Sequence, residues 1–399
     1  MSRALRCLPI LCGLLAWLPS VWIGGWALDD RELIFGNPVI DGTAPWTAAF
    51  ARGYFEHLGA AGQWRPLASL SLRASHALWN EQVAPYHLEN LALHLAVVAL
   101  AVAVARRRLA GHAWVFGLCV FAAHPVLADV VAWVSGRTSS LGALVGLLGA
   151  CCVVRARSSF GVALAAMVAV GGASLAKEDG LLFAPLCVLL VAGSGRARVA
   201  GAALGSGASL LAVCVGRYLA IGSFLPFADT PALGSAGLGA RLLVGGHEWV
   251  ESLRLLVLPF GYPPQYRADF LLARTDPLPD SLVAVLGWTL ALATPLAVRR
   301  FGPRSAAWSA TLAALALLPV VQLVPLGEVF APRFLYLPLL FAAPAVGALH
   351  AACPRRARIV AWAAIPLILA PLAWQRSAVY ARRAAWRNER LAHQPQDAA

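Results

Sequence analysis

Two adjacent carboxylates, Asp29 and Asp30, follow the first long apolar run of the chain, which extends from about residue 8 to residue 27. A carboxylate can take a proton from an attacking hydroxyl that lies within hydrogen-bond reach. A neighbouring negative charge raises the pKa of such a group toward the working pH. The pair therefore indicates a general base or a substrate clamp; the alternative is a solvated helix end.

Three cations occupy short polar segments beside apolar runs. Arg65 follows Trp64 and suits a bidentate carboxylate or phosphate contact, and Lys177 lies in a turn with Glu178 as a point charge for phosphate. Arg333 lies three residues before Tyr336, so we expect both on one helix face, with Arg333 holding a phosphate at the lipid boundary. The alternatives are a surface arginine, a solvated loop and an interfacial anchor pair, respectively.

The segment from His124 to Arg137 carries the most specific constellation. If a helix begins near Pro125, then Asp129, Trp133 and Arg137 lie at four-residue steps and form one polar face. An aromatic ring with an acid and a base suits a sugar or a sugar phosphate. The alternative is an intramembrane Asp–Arg pair that stabilises the helix bundle.

His87, Asn90 and His94 are spaced to share one face of the second apolar run. Two histidines in a span can ligate a metal, but such a stripe more often forms hydrogen bonds between helices.

Composition predicts an integral membrane protein. Of 399 residues, 60% are hydrophobic and 13% are charged, whereas soluble domains carry about 25% charged residues. The net charge of +13 comes from clusters between apolar runs, a pattern typical of topology signals and not of nucleic-acid binding. The eight cysteines show neither metal spacing nor a disulfide framework. No Walker loop is present, which argues against an ATP-driven pump.

Arginine clusters orient the apolar segments, with the N-terminus and a retained first span starting on the cytoplasmic side. Treating 241–259 as re-entrant or interfacial keeps most arginine clusters inside and gives about eleven spans. All 19 acidic residues then lie on the exterior side or in the tail. The predicted spans are 8–27, 86–105, 113–128, 138–154, 160–175, 181–194, 199–220, 281–298, 305–325, 333–350 and 359–374.

The expected fold is thus an all-α polytopic membrane protein with one bundle over residues 1–375. Two exterior segments, 29–85 and 221–280, and a short basic exterior tail, 376–399, complete it. Within the first loop we predict helices at Trp46–Leu58 and Arg65–Asn80.

These motifs together resemble the membrane half of the transmembrane-and-tetratricopeptide O-mannosyltransferases and their bacterial relatives, in the GT-C glycosyltransferase superfamily. The resemblance is dispersed over almost the whole chain. In order, it rests on Asp29-Asp30, Asn37-Pro38, Trp64-Arg65-Pro66-Leu67, His87-Leu88-Glu89-Asn90-Leu91 with His94, His124-Pro125-Val126, Val131 to Arg137, Ala176-Lys177-Glu178, Arg333 to Pro338 and Trp386-Arg387-Asn388-Glu389.

The resemblance implies a GT-C-type bundle in the inner (plasma) membrane that transfers a hexose, expected to be mannose, from a polyprenyl-phosphate lipid on the exterior face. The acceptor would be a hydroxyl, such as Ser or Thr of an exported protein, or a glycan. It also implies a catalytic aspartate, either Asp29 or Asp30, with Asp30 preferred. The other roles it implies are donor-phosphate binding by Lys177, Arg333, Arg137 and Arg65, and substrate binding by His124, Asp129, Trp133, Glu178 and Tyr336.

The chain departs from the family pattern in two places. Pro332 replaces the glutamate that usually precedes the arginine of the Arg333 motif, and Glu328 is the nearest acid. We also expect no tetratricopeptide domain after the tail, which leaves acceptor recognition open. No cofactor is indicated, and the lack of a DxD motif leaves metal dependence open. The alternative functions are a transporter or flippase of a lipid-linked or anionic solute, and a non-catalytic assembly protein.

Overall fold

The structure, a computed structural model, describes residues 3–59, 62–224, 233, 236–263, 266, 279–301, 303–323 and 328–393. Helices dominate these ranges, and Tyr266 and Phe330 form a lone antiparallel bridge. The α-helices are α1 Arg3–Trp17, α2 Asp30–Phe35, α3 Pro66–Trp79, α4 Val83–Arg108, α5 Ala113–Ala123, α6 Ala128–Val131, α7 Arg137–Arg155, α8 Ser159–Met167, α9 Ala173–Ala176, α10 Phe183–Val191, α11 Arg196–Ile221, α12 Leu238–Val257, α13 Asp280–Phe301, α14 Arg304–Leu317, α15 Tyr336–Ala352, α16 Arg355–Ala364 and α17 Ala370–His393.

The protein is an all-α polytopic membrane protein, as the sequence predicts. Among the described residues, eight helices are long and apolar enough to cross a membrane. A ninth span is formed if α5 and the bent segment Pro125–Val131, which meet at 47°, cross as one.

Two apolar segments account for most of the difference from the eleven spans expected. The segment at 181–194 forms only the nine-residue α10, preceded by a 3-10 turn at Glu178–Leu182. The segment at 305–325 forms a helical stretch that ends at Val320, shorter than a full span. A span needs about 20 residues at 1.5 Å rise per residue.

The ambiguous segment at 241–259 is a continuous helix, α12, of 20 residues. It is long enough for about 30 Å, but Arg241, Glu248, Glu251 and Arg254 exclude it from the apolar candidate spans. It packs along α13, where Gly246 and Gly287 let the two backbones approach closely.

The first loop contains one of the two predicted helices. Pro66 opens α3 as expected, and the helix ends at Trp79. The prediction of a helix over Trp46–Leu58 is wrong, because the segment forms two separate 3-10 turns. Between them, the N–H of Tyr54 donates to the carbonyl of Gln63 instead of to a helical partner.

The core of the bundle lies around α5, α6 and α7, where nearly every residue from Trp114 to Ser140 is buried. Between α6 and α7 the chain leaves the helical path for five residues, Ala132–Gly136, which we call the buried turn. Gly136 permits its close approach to α6, because a Cβ atom there would lie 2.0 Å from the carbonyl oxygen of Asp129.

We predict that Gly136→Ala destabilises the protein. The φ of Gly136 is −63°, which alanine adopts readily, so the variant tests the steric clash alone. Overpacking of this kind costs roughly 1–3 kcal/mol, which should lower the melting temperature in detergent by several degrees. Gly207→Ala is the control, since Gly207 is exposed in α11 with no atom near a new Cβ; equal melting temperatures for both variants would contradict the prediction.

Candidate functional site

The buried turn exposes backbone groups that no helix satisfies, and two side chains from other elements bind them. Asn90 Nδ2 on α4 donates to the carbonyls of Trp133, at 2.7 Å, and Val134, at 3.2 Å. The N–H of Ser135 donates to Asp30 Oδ1 at 2.8 Å. Irregular backbone at membrane depth is tolerated only when its polar groups are satisfied. Asn90 and Asp30 therefore hold the turn in place.

Asp30 is fully buried, and both of its carboxylate oxygens accept hydrogen bonds. Oδ1 also accepts from Ser135 Oγ at 2.5 Å, and Oδ2 accepts from the N–H of Ala27 at 3.1 Å. Burial raises the pKa of Asp30 to about 7, although the bonds from Ser135 oppose this shift. Asp30 thus fastens the first loop to the buried turn.

Asp29 has a different environment from its neighbour. It is partly exposed and directly precedes α2. Leu28 before it has a φ of +53°, a conformation that is costly for a branched residue and that clusters at functional sites. Of the two aspartates, the geometry leaves Asp29 the more accessible to a substrate.

Arg137 is engaged on every side. Its guanidinium donates to Asn90 Oδ1 at 3.0 Å, Ser75 Oγ at 2.6 Å and the Tyr86 carbonyl at 3.4 Å, and it pairs with Glu89 at 3.1 Å. These contacts join the start of α7 to α3 and α4. Arg137 supports the buried turn and presents no unoccupied edge to a phosphate.

The common helix face predicted for Asp129, Trp133 and Arg137 does not form. The chain leaves α6 after Val131, so Arg137 starts a new helix with a different orientation. The structure keeps Asp129 and Trp133 together and directs Arg137 toward Glu89.

Arg65 and Glu178 form a bidentate pair that joins α3 to the turn before α10. Arg65 Nε and Nη2 donate to Glu178 Oε2 at 3.0 and 2.8 Å, and Arg217 Nη1 lies 3.9 Å from Glu178 Oε1. Burial acts to raise the pKa of Glu178, but the charge and hydrogen bonds of Arg65, a backbone hydrogen bond and the charge of Arg217 together keep that pKa below its usual value. Arg65 is therefore neutralised by a carboxylate.

Lys177 and Arg333, 156 positions apart in the chain, lie against one aromatic ring. Lys177 Nζ is 5.9 Å and Arg333 Cζ is 5.6 Å from the centroid of Phe334. Lys177 donates to Ser139 Oγ at 2.8 Å and pairs with Asp179 at 2.9 Å.

Arg333 connects this ring to the buried turn. Its Cζ lies 5.2 Å from the ring centroid of Trp133, and its Nη1 lies 4.0 Å from Asp129 Oδ2. Glu328 also pairs with Arg333. We name Asp129, Trp133, Lys177, Arg333 and Phe334 the cationic cluster.

His124 and Tyr336 lie elsewhere. His124 is buried, and its Nε2 is 3.3 Å from the carbonyl of Leu256 at the end of α12. Tyr336 begins α15 directly after the 3-10 turn that holds Arg333, and the two side chains contact different partners. The Tyr336 hydroxyl lies 2.9 Å from His94 Nδ1 inside the bundle.

The polar stripe on α4 forms contacts between helices. His94 Nε2 lies 3.0 Å from the carbonyl of Ala122 on α5, and Asn90 binds the buried turn. In the described ranges, no three His, Cys, Asp or Glu side chains lie close enough together to hold a metal ion.

Sequence reasoning missed two residues of α17, Arg376 and Tyr380. The Tyr380 hydroxyl donates to Asp129 Oδ1 at 2.6 Å, and Arg376 lies one turn earlier. The expected boundary between bundle and tail at 375/376 falls inside α17, which is continuous to His393. The four-residue spacing of Arg376 and Tyr380 in a chain with helical periodicity was the available signal.

Curated relatives match part of the chain. A protein O-mannosyl-transferase, Tmtc2 of Drosophila melanogaster, is 36% identical over 131 residues, which is 31% of this chain and 14% of the fly protein. Human TMTC2 is 33% identical over 139 residues, 33% of this chain and 16% of the human protein. This chain is homologous to these proteins over about a third of its length.

A more distant relative is also named for O-mannosyl transfer. Human TMTC3, also a protein O-mannosyl-transferase, is 24% identical over 172 residues, 41% of this chain and 19% of TMTC3. The matched part of this chain thus spans less than a fifth of TMTC2 and TMTC3. No family model matches the chain, and no solved structure matches it.

We predict that Asp30 makes stability fall as pH rises. Its folded-state pKa of about 7 lies above the ordinary 3.8, so the folded chain holds a proton that the unfolded chain releases between these values. The stabilisation is complete below the lower value and is lost as pH approaches 7. Melting curves in detergent should show this slope in the wild type and in Glu81→Gln, an exposed control, but not in Asp30→Asn. Parallel pH profiles for all three proteins would contradict the prediction.

Proposed function

We propose that the protein is a membrane glycosyltransferase of the GT-C type that moves mannose from a polyprenyl-phosphate lipid to an acceptor hydroxyl on the exterior face. The observation that carries this proposal is the homology to protein O-mannosyl-transferases. The cationic cluster at the edge of an apolar bundle supports it, because a departing lipid phosphate needs positive charge beside it.

Two of the four predicted phosphate ligands fit that role better than the others. Arg65 and Arg137 are neutralised by Glu178 and Glu89 inside the protein. Lys177 and Arg333 also pair with carboxylates, but they face a common ring, and Arg333 lies beside Trp133 and Asp129. We therefore assign the phosphate to Lys177 and Arg333 and the sugar to Asp129, with Trp133 beside the headgroup.

The base is Asp29 in this proposal, since Asp30 is buried and committed to the buried turn. The proton of the acceptor hydroxyl passes to the Asp29 carboxylate as the oxygen attacks the anomeric carbon. The new C–O bond forms while the bond from that carbon to the phosphate oxygen breaks. The electron pair leaves with polyprenyl phosphate, and Lys177 and Arg333 stabilise its charge.

The acceptor in this proposal is a Ser or Thr hydroxyl of an exported protein, presented to the first exterior loop of an inner-membrane enzyme with a cytoplasmic N-terminus. Asp29 lies at the start of that loop, and Asp30 fixes the loop to the buried turn. A base close to the donor is supported by its neighbour Asp30, which binds Ser135, two residues from Trp133 of the cationic cluster.

The test uses purified protein with radiolabelled polyprenyl-phosphate-mannose and a membrane extract as acceptor. We expect Asp29→Asn to lower sugar transfer by about 100-fold or more, the usual contribution of a general base. Lys177→Gln and Arg333→Gln should lower it by a similar factor through lost phosphate stabilisation. Arg299→Gln, which changes an exposed arginine at the end of α13, should transfer at the wild-type rate.

Two outcomes would count against the proposal. Wild-type rates for Asp29→Asn, Lys177→Gln and Arg333→Gln would remove these residues from the mechanism. A larger loss in Asp30→Asn than in Asp29→Asn, at equal melting temperature, would return the role of base to Asp30. Polyprenyl-phosphate-glucose supplied in parallel tests whether the donor sugar is mannose.

A further inference from the structure

Three side chains have buried nitrogen or oxygen atoms that form no hydrogen bond within the described part of the chain. They are the indole Nε1 of Trp133, the Oδ2 of Asp129, and the Nε and Nη2 of Arg376. Trp133 is 7% exposed and Asp129 is 1% exposed. Buried polar groups are nearly always hydrogen-bonded, so a group of unpaired ones indicates a place where a ligand binds.

Among the described residues, Tyr262 binds one edge of the Arg376 guanidinium. Its guanidinium stacks on the Tyr262 ring, with Cζ 4.0 Å from the centroid, and its Nη1 donates to the Tyr262 carbonyl at 3.0 Å. The Tyr262 hydroxyl in turn donates to the carbonyl of Pro125 at 3.1 Å. The stack and these two bonds fix the guanidinium beside the segment that leads into α6, while Nε and Nη2 are left to donate elsewhere.

Residues from α17, the Arg333 segment and the buried turn adjoin Asp129. Arg376 and Tyr380 lie one turn apart on α17 and so share a face, and the Tyr380 hydroxyl holds Asp129 Oδ1 at 2.6 Å. The other oxygen, Oδ2, lies 4.0 Å from Arg333 Nη1. The guanidinium of Arg333 packs over the ring of Trp133. The unsatisfied donors of Arg376 and Trp133 thus belong to the helix and the turn that adjoin Asp129, whose Oδ2 accepts no hydrogen bond.

This arrangement matches a glycosyl phosphate, which presents phosphate oxygens as acceptors and sugar hydroxyls as donors within one small group. Guanidinium and indole N–H groups suit the phosphate oxygens, and a carboxylate oxygen suits a sugar hydroxyl. We propose that Arg376, with Trp133 and Asp129, forms a binding site for the glycosyl phosphate headgroup of a lipid. This inference rests on the proposed function and adds α17 to the site.

The position of the site fits a lipid-linked ligand. The stretch of helix before Arg376 is apolar and outward-facing, with Leu367 73% and Ile368 53% exposed. A polyprenyl chain can lie against such a surface in the membrane while its headgroup reaches Arg376. Free mannose 1-phosphate has the same headgroup chemistry without the chain, so both are used in the test.

The experiment measures binding of radiolabelled polyprenyl phosphate and polyprenyl-phosphate-mannose to the full chain in lipid nanodiscs. We expect Arg376→Gln to weaken binding of both lipids by about ten-fold or more, as expected for a lost charge-assisted hydrogen bond. Arg376→Lys should recover part of the affinity, because a point charge replaces the fork of donors. Arg382→Gln, an exposed arginine of the same helix, should bind like the wild type.

Two further variants separate the phosphate from the sugar. Trp133→Phe keeps the ring under Arg333 and removes only the N–H, so it should weaken binding of both lipids by several-fold. Asp129→Asn should lower the affinity for the mannosyl lipid relative to that for polyprenyl phosphate. Unchanged binding in Arg376→Gln and Trp133→Phe would overturn the inference, and if Arg376→Gln fails to fold, Trp133→Phe alone decides it.

Competition identifies the source of the headgroup. Displacement of the mannosyl lipid by polyprenyl phosphate at lower concentrations than by mannose 1-phosphate supports a lipid site, and the reverse order overturns it. Failure of the proposed function is recognised separately. In that case the wild type binds both lipids in an Arg376-dependent way but transfers no sugar, whereas normal transfer by Arg376→Gln with normal lipid binding removes only this inference.

Discussion

The structure depends on a stretch of non-helical backbone, the buried turn at Ala132–Gly136, that lies inside an apolar bundle. Peptide groups in such a place must find partners within the protein, because neither lipid nor an intact helix supplies them. Asn90 and Asp30 provide these partners, and Arg137 holds Asn90 in position. Polar residues of this part of the sequence that we predicted to be functional, Asp30 and Arg137, thus support the buried turn. The buried turn positions Trp133 beside Arg333.

Charge pairing then sorts the cations into two groups. Arg65 and Arg137 each face a carboxylate across a helix–helix contact, which fixes the bundle and neutralises both charges. Lys177 and Arg333 also have acidic partners, but they converge on the ring of Phe334 beside Asp129. Buried ion pairs are weak evidence for stability yet strong constraints on position. In this chain the pairs of Arg65 and Arg137 are structural, whereas we assign Lys177 and Arg333 to a ligand.

The sequence predicted the fold class and most of the spans, because hydropathy and spacing within a segment are local properties. The prediction failed where the helical periodicity of the chain is interrupted. The helix expected through Asp129, Trp133 and Arg137 ends at Val131. Sequence reasoning grouped Tyr336 with Arg333, although Tyr336 contacts His94 and Arg333 contacts Trp133. It also assigned Arg376 to a tail. The helix that carries Arg376 is held to the bundle by the contact of Tyr380 with Asp129, and local spacing does not reveal a contact between residues 251 positions apart.

The central claim is that the buried turn, the Arg333 segment and α17 enclose the headgroup of a mannosyl lipid. Photo-cross-linking tests it most directly, with a polyprenyl-phosphate-mannose analogue that carries a diazirine on the sugar, followed by mass-spectrometric mapping of the labelled peptides. The account predicts labels within residues 129–136, 333–336 and 376–380, removed by excess unlabelled lipid. Competable labels confined to other segments, such as the arginine-bearing C-terminal ends of α4 and α7, would contradict it.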